Sequence, residues 1–159
     1  MRVEPVRSQE QLDDVRVLFQ EYWHAFRFDP CFQGFAAEVD ALPGEYAPPS
    51  GRIALAIVDG RLAGCIALRR LTDIACEMKR LYVRDEFRGG GTGIALVRWL
   101  LDEARTAGYT TMYLDTMPSM QRAIAMYERL GFKRCDPYSD KPSPGAICLC
   151  LPLAPFRIS

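Results

Sequence analysis

A glycine-rich stretch, Arg88–Gly93, combines residue types that suit the binding of a phosphate. Glycine lets backbone N–H groups approach a ligand with no Cβ in the way. An apolar helical pattern starts at Ile94, so the first turn of a helix would add unpaired N–H donors and the positive end of its dipole. Arg88 supplies a permanent positive charge beside them. The stretch therefore predicts an anion site where a loop enters a helix.

The spacing within this stretch excludes two common nucleotide motifs. A dinucleotide fingerprint needs Gly-x-Gly-x-x-Gly/Ala, but a start at Gly89 or Gly91 ends on Ile94 or Leu96. A P-loop needs Lys and Ser/Thr after its last glycine, where this chain has Ile94 and Ala95. The pattern that fits is Arg-x-x-Gly-x-Gly. A helix-entry loop that binds no ligand is the alternative at this point.

The composition favours a single globular domain over residues 1–159. The 20 basic and 20 acidic residues balance, so no broad field favours nucleic acid or an anionic membrane. No apolar run reaches membrane-spanning length. The sequence therefore predicts neither a nucleic acid nor a membrane partner, and it leaves a homodimer open.

The six cysteines indicate neither a disulfide framework nor a metal site. Cys65, Cys76, Cys148 and Cys150 lie in apolar, strand-like runs, where a free thiol behaves as a small hydrophobe. No Cys/His cluster has zinc-binding spacing, so we expect no metal. The N-terminal residues form no apolar signal region. We therefore expect reduced thiols in a cytoplasmic protein.

The hydrophobic periodicity predicts a mixed α/β order of elements. Ser8 and Gln11 fit a capping box at the start of the first helix, and Asp59-Gly60 fits a type I′ hairpin turn. The elements expected before the glycine-rich stretch are a strand, two helices and three antiparallel strands: Val3–Arg7, a helix from Ser8, Gln33–Leu42, Arg52–Val58, Leu62–Leu68 and Ala75–Val83.

The second half of the chain alternates helices and strands. Thr110–Leu114 follows a helical crossover and should lie parallel to Ala75–Val83. Asp115–Ser119 is predicted to be a loop in which Ser119 caps the next helix. The elements expected after the glycine-rich stretch are a helix that ends at Gly108, then Thr110–Leu114, Met120–Leu130, Lys133–Pro137 and Ile147–Leu151.

Four segments of the chain form one ordered set: Glu77–Val83, the Arg-x-x-Gly-x-Gly loop, Leu114–Thr116 and Ala123-x-x-x-Tyr127-x-x-x-Gly131-Phe132. In order and spacing they resemble the GNAT superfamily of acetyl-coenzyme A-dependent N-acetyltransferases. The resemblance implies a single-domain α/β fold of the GNAT type, with helices flanking a mixed, mostly antiparallel sheet. It also implies that a central parallel strand pair splays apart at the cofactor site.

The same resemblance implies an acyltransferase that moves an acetyl group from acetyl-coenzyme A to the primary amine of a small molecule or peptide by direct attack. The loop N–H groups would bind the pyrophosphate, and the backbone N–H of Val83 would face the acetyl oxygen. Many relatives carry an asparagine where this chain has Met120, so Thr116, Ser119 or Gln121 would have to substitute. The residues implied in cofactor binding are Leu81, Tyr82, Val83, Arg88, Gly89, Gly90, Gly91, Thr92, Gly93, Thr116 and Ser119.

Tyr127 matches the position of the family's frequent general acid. Full proton transfer from a phenol to a thiolate is uphill by only about 2 kcal/mol from their unperturbed pKa values, so a hydrogen-bonding tyrosine suffices. Simple packing of Tyr127 against Ala123 and Leu130 is the alternative.

Glu77 matches a position that some relatives use for the general base. The alternatives are a strand glutamate paired with Lys79 or Arg80, and a water chain in place of a single base. Lys79 and Arg80 are consecutive, so in a regular strand they should face opposite ways.

The acceptor is expected between the aromatic helical region, the third predicted strand and the Tyr138–Gly145 loop. Acidic residues available to an amine there are Glu21, Asp29, Glu38 and Asp140. Two other function classes stay open: a coenzyme A-binding module without turnover, and a phosphate-ligand binder without acyl chemistry. The candidate substrate-binding residues are Tyr22, Phe28, Gln33 and Tyr138.

Overall fold

A computed structural model describes residues 1–25, 34–139 and 145–154. Within these ranges the helices and strands alternate much as the sequence predicts. None of the described helices is long and apolar enough to cross a membrane. In chain order the elements are β1 Arg2–Pro5, α1 Gln9–Ala25, α2 Phe35–Asp40, β2 Arg52–Val58, β3 Arg61–Arg70, β4 Ala75–Val83, α3 Thr92–Thr106, β5 Thr111–Thr116, α4 Gln121–Arg129, β6 Lys133–Arg134 and β7 Ile147–Pro152.

The described strands form one sheet in the order β1-β2-β3-β4-β5-β7-β6. β4 and β5 pair in parallel, as predicted, and the other neighbouring strands pair antiparallel. Asp59 and Gly60 both take positive φ, of 50° and 75°, which confirms the type I′ turn between β2 and β3. The strand predicted over Lys133–Pro137 is shorter than expected and ends at Arg134.

The central parallel pair opens into a gap. The β4–β5 ladder joins Ala75–Glu77 to Thr111–Tyr113 and ends there. β4 nevertheless continues to Val83 beside β3, and β5 continues to Thr116 beside β7. The two strands therefore diverge in mid-sheet, which leaves room for other groups between them.

Helices cover both faces of the sheet and bury a separate apolar cluster on each. α3 and Tyr127 of α4 pack on one face with Ile66, Met112 and Leu114. α1 and α2 pack on the other face with Leu55 and Tyr82, because alternate strand residues point to opposite sides. The gap between β4 and β5 thus lies between the two helical layers.

The predicted capping box is present at the start of α1. Ser8 Oγ accepts the Gln11 N–H at 3.1 Å, and Gln11 Oε1 accepts the Ser8 N–H at 3.0 Å. This reciprocal pair satisfies two backbone donors that the first helical turn leaves without partners.

Replacing Ser8 by Ala should lower the free energy of unfolding by about 1 kcal/mol, because one helix donor loses its partner. Urea unfolding measures the change. Gln9→Ala, in the same exposed turn, is the matched control and should stay within about 0.5 kcal/mol of the parent. Equal losses in the two variants would show that the cap contributes nothing.

Candidate active site

β4 carries a β-bulge beside the gap. The register with β3 shifts so that Ile66 lies opposite both Arg80 and Leu81, and Arg80 takes a φ of 60°. Lys79 and Arg80 consequently line the same cavity on the α1–α2 side of the sheet. The expectation that they face opposite ways was wrong, because a bulge interrupts strand alternation.

A groove of about 750 Å³, here called the glycine-loop groove, runs between the end of β4, the glycine-rich turn and α4. Gly90 and Thr116, also predicted to bind cofactor, do not line it. α4 begins at Gln121 after Met120 with no side-chain cap, so the prediction that Ser119 caps it was wrong. The predicted cofactor residues that line the groove are Leu81, Tyr82, Val83, Arg88, Gly89, Gly91, Thr92, Gly93 and Ser119.

The glycine-rich turn has the backbone conformation that its residues allow. Gly89 and Gly91 take φ of 85° and 84°, a left-handed region that disfavours residues with a Cβ. α3 starts directly after Gly91, and Ala95 donates the helix's first bond to the Gly91 carbonyl. The N–H groups before Ala95 have no partner within the helix and border the groove. This end of the groove is built to receive an anion.

Arg88 is held at the rim of the groove. Its Nε donates to the Val83 carbonyl at 3.0 Å, and its Nη1 lies 2.9 Å from an Asp85 carboxylate oxygen. Two further arginines that the sequence reasoning did not single out, Arg122 and Arg129 of α4, also line the groove. The groove is therefore bordered by cations as well as by backbone donors.

The backbone of Val83 faces the gap. Arg84 donates its N–H to the Ala63 carbonyl at 2.8 Å, so the adjacent Gly64–Val83 pair is a non-hydrogen-bonded pair of the antiparallel ladder. The N–H and C=O of Val83 accordingly point away from β3. An N–H in this position has the orientation needed to donate to a group inside the gap.

Tyr127 lies where the groove meets a smaller cavity of about 70 Å³, here called the junction cavity. Leu81 and Met120 also line both spaces. Tyr127 is buried and packs its ring 5.8 Å from that of Phe132. Burial raises the pKa of the Tyr127 phenol, so at neutral pH the hydroxyl keeps its proton and serves as a donor.

The junction cavity passes through the gap to the opposite face of the sheet, where Tyr22 of α1 lines it. There it meets a third space of about 380 Å³, here called the charged cavity. Lys79, Arg80 and Asp115 line both of these spaces. Shared lining residues thus place the three spaces next to one another in a series from the glycine-rich turn to the α1–α2 face.

Glu77 borders the charged cavity with both carboxylate oxygens engaged. Arg69 Nε donates to Oε1 at 2.6 Å, and the Tyr138 hydroxyl donates to Oε2 at 2.5 Å. Lys79 Nζ lies 4.0 Å from Oε1. The main cation partner is therefore Arg69, which lies opposite Glu77 across the β3–β4 ladder, rather than Lys79 or Arg80.

Two of the acidic residues predicted to be available to an amine are already paired. Arg80 donates to both carboxylate oxygens of Glu38, at 2.9 and 3.1 Å. Glu21 accepts two hydrogen bonds from Arg84, at 3.0 and 2.7 Å. Asp29 and Asp140 lie outside the described residues. The Arg80 guanidinium also lies 5.7 Å from three aromatic ring centroids, those of Tyr22, Trp23 and Phe35.

Two of the four candidate substrate residues can be placed. Tyr22 lines the junction cavity, and Tyr138 contacts Glu77 while its ring lies 4.9 Å from that of Tyr113. Phe28 and Gln33 lie outside the described residues. The described residues contain no cluster of His, Cys, Asp and Glu that could hold a metal ion.

Asp115 is a site residue that the sequence reasoning missed. The predicted loop over Asp115–Ser119 was wrong at its start, because β5 extends to Thr116 and pairs Asp115 with Cys148. Burial, followed by the Glu77 charge, raises the pKa of the Asp115 carboxyl. Alternation with the buried Leu114 was the signal that could have placed Asp115 on the same face as Glu77.

The family model described as the acetyltransferase (GNAT) family matches residues 12–132. An uncharacterized N-acetyltransferase of Schizosaccharomyces pombe is 34% identical over 154 residues, which cover 96% of this chain and 94% of the relative. The crystal structure of an acetyltransferase from Streptococcus agalactiae superposes with a TM-score of 0.79 at 19% identity, covering 96% of this chain and 98% of the other. A structure of aminoglycoside 6′-N-acetyltransferase complexed with coenzyme A superposes with a TM-score of 0.72 at 19% identity, covering 99% of each chain.

This chain belongs to the acetyltransferase (GNAT) family. It is an N-acetyltransferase, in the acyltransferase class of enzymes. The predicted family and the mixed α/β fold are thereby confirmed.

Proposed function

We propose that this chain transfers an acetyl group from acetyl-coenzyme A to the primary amine of a small molecule or peptide, with both substrates bound together. The observation that carries the proposal is the series of three neighbouring spaces, linked by shared lining residues, along the gap between β4 and β5. It joins a groove with an anion-binding turn to a cavity rich in charged groups, and Tyr127 lies at the junction. Two substrates that enter from opposite faces would meet there.

The residues of the glycine-loop groove fit coenzyme A. The N–H groups of Gly89, Gly91 and the first residues of α3 would hold the pyrophosphate, with Arg88 at the rim. The groove is long enough to extend from this turn past Val83 to Tyr127. The bound thioester would supply an electrophilic carbonyl carbon and a sulfur leaving group.

Each step of acetyl transfer has a candidate group in the gap. The Val83 N–H would donate to the carbonyl oxygen as the amine nitrogen adds to the carbon, because negative charge develops on that oxygen. Tyr127 would give its proton to the sulfur as the C–S bond breaks. The proton that the nitrogen loses when the amide forms would restore the phenol, directly or through water.

Glu77 is the proposed acceptor of the proton that the ammonium must lose before attack. The carboxylate borders the charged cavity and is held in place by Arg69 and Tyr138. A positioned base typically contributes 10²–10⁴-fold to a rate. The five described cysteines are free thiols, which supports the further proposal that the protein works in the reducing cytoplasm.

Glu77→Gln should lower kcat/KM by about 10²-fold, because it removes the proposed proton acceptor. Stopped assays of thiol release measure kcat/KM. Glu45→Gln is the matched control, because Glu45 also pairs with Arg69 but its side chain is 71% exposed. An unchanged kcat/KM in Glu77→Gln would remove Glu77 as the base and favour a water chain.

The proposed function is tested first by ligand binding and then by turnover. Coenzyme A at 100 times its Kd should stabilise the protein by about 2.7 kcal/mol, seen as a raised Tm, and ADP should stabilise it less. Acetyl-coenzyme A with a panel of primary amines should then release free thiol. Equal stabilisation by ADP would indicate a phosphate-ligand binder, and stabilisation without thiol release would indicate a non-catalytic module.

A further inference from the structure

We propose that the acceptor is a free amino acid, whose ammonium group Asp115 binds and whose carboxylate Lys79 binds. The inference rests on the proposed function and adds the chemical class of the acceptor. Both residues line the junction cavity and the charged cavity, so they flank the place where an acceptor would meet the acetyl group.

Most charges around the charged cavity already neutralise one another. Glu38 pairs with Arg80, and Glu77 and Glu45 both pair with Arg69. A ligand would have to break these short contacts in order to use those groups. Lys79 and Asp115 are the two charges that line the cavity without a close ion pair among the described residues.

Lys79 is a buried cation with a poor partner. Its side chain is 13% exposed, and the carboxylate oxygen within reach of Nζ is Glu77 Oε1, at 4.0 Å. That carboxylate already accepts hydrogen bonds from Arg69 and Tyr138. Burial lowers the pKa of Lys79, because a desolvated ammonium group is costly without a close anion. A ligand carboxylate would provide that anion.

Asp115 presents the complementary charge from β5. Among the described residues it forms no ion pair, and its half-buried carboxylate faces the same cavity as Lys79. Burial, followed by the Glu77 charge, raises the pKa of the Asp115 carboxyl, and the nearby charges of Lys79 and Arg80 offset only part of that rise. An ammonium group would supply the missing cation.

A zwitterion fits this arrangement better than the other acceptor classes. A polyamine or a multiply charged amino sugar needs several unpaired carboxylates, but Asp115 alone is uncommitted among the described carboxylates of the cavity. A simple monoamine would leave Lys79 buried without a close anion. An amino acid carries one cation and one anion on adjacent carbons, so it satisfies both groups and adds no net charge to the cavity.

The bulge in β4 is what makes this pairing available. Without the extra residue, Lys79 and Arg80 would face opposite sides of the sheet. With the bulge, both side chains lie on the same side of the sheet, so Arg80 pairs with Glu38 while Lys79 can bind the ligand. Bulges commonly re-aim a side chain next to an active site.

The test compares three forms of one acceptor. The twenty amino acids are screened by thiol release, and the best is assayed beside its carboxamide and its decarboxylated amine. The amino acid should exceed both by about 10²-fold in kcat/KM, because each analogue leaves Lys79 unpaired. Calorimetry with coenzyme A bound should show one amino acid binding per chain.

Variants of Lys79 and Asp115 test which group of the acceptor each residue binds. Lys79→Met should reduce the preference for the amino acid over its carboxamide to about one, while Kd for coenzyme A stays unchanged. Asp115→Asn should weaken binding of the amino acid, its carboxamide and its amine alike. Lys133→Met, an exposed lysine of β6, is the control and should keep the full preference. Tm of each variant checks folding.

Failure of the proposed acceptor class can be told apart from failure of the proposed function. Equal turnover of the amino acid, its carboxamide and its amine, or a Lys79→Met variant with the preference intact, would overturn the acceptor class and leave the acetyltransferase function standing. Stabilisation by coenzyme A without thiol release from any amine would overturn the proposed function. Calorimetry would then decide separately whether an amino acid binds through Lys79.

Discussion

Tyr127→Phe is expected to lower kcat by about 10²-fold or more, because it removes the hydroxyl proposed to protonate the leaving sulfur. The ring that packs against Phe132 is retained, so the free energy of unfolding and the Kd for coenzyme A should change little. Single-turnover measurements of acetyl transfer separate the chemical step from product release. Full turnover with normal coenzyme A affinity would show that Tyr127 only packs.

Tyr109→Phe provides the matched control. Tyr109 is another buried tyrosine, and its hydroxyl donates to the Ser50 carbonyl at 2.6 Å, away from the three cavities. Its loss should cost about 1 kcal/mol of stability and leave kcat unchanged. A similar loss of kcat in both variants would point to a general effect of buried hydroxyl groups instead of acid catalysis.

The pH dependence gives a second check on Tyr127. Burial raises the pKa of its phenol above the ordinary value, so the donor form persists through the whole neutral range and beyond pH 10. Tyr127 therefore adds no falling limb to kcat between about pH 7 and pH 10. The raised pKa also links folding stability to pH. The stability that the protonated Tyr127 contributes is fully present below the unfolded-state pKa, near 10, and is lost as the pH rises from there through the folded-state pKa.

Gly91→Ala should weaken coenzyme A binding by about 10- to 100-fold, the equivalent of losing one charge-assisted hydrogen bond of about 1.5–3 kcal/mol. Gly91 has a φ of 84°, and a Cβ at that angle forces the turn to relax and moves the N–H groups that face the groove. A steric clash is not the cause of this expected loss of affinity, because a Cβ added at Gly91 meets no atom within 4 Å. Calorimetric titration with coenzyme A measures the effect.

Gly60→Ala separates ligand binding from fold strain. Gly60 also has a positive φ, of 75°, and open space around an added Cβ, but it lies in the β2–β3 hairpin. Both variants should lose about 1–2 kcal/mol of stability from left-handed backbone strain. If both bind coenzyme A with the parent Kd, the glycine-rich turn is a structural helix entry and holds no pyrophosphate.

Local patterns in the sequence, together with the family resemblance that they carry, predicted the fold and the glycine-rich turn of the candidate site. The Arg-x-x-Gly-x-Gly spacing placed the turn and the start of α3, and Asp59-Gly60 placed a hairpin that the structure contains. Ala75–Val83 was predicted with the bounds that β4 has. These features depend on residues close together in the chain, whose backbone preferences act locally.

The acceptor side depended on contacts that no local pattern contains. The partner of Glu77 is Arg69, set by the β3–β4 register, together with Tyr138, which lies far along the chain. The bulge that places Lys79 and Arg80 on one face arises from a mismatch between two strands, and neither strand's own sequence shows it.

The positions and the burial of Lys79 and Asp115, on which their proposed roles depend, are set by the tertiary structure. β5 extends to Thr116 because β7 pairs with it, which turns Asp115 from an expected loop residue into a lining residue of the gap. Burial then lowers the pKa of Lys79 and raises that of Asp115, shifts that the surrounding packing sets and residue type alone does not. The sequence by itself determined the glycine-rich turn that is proposed to hold a coenzyme, whereas the tertiary structure decided which charges line the cavity proposed to bind an acceptor.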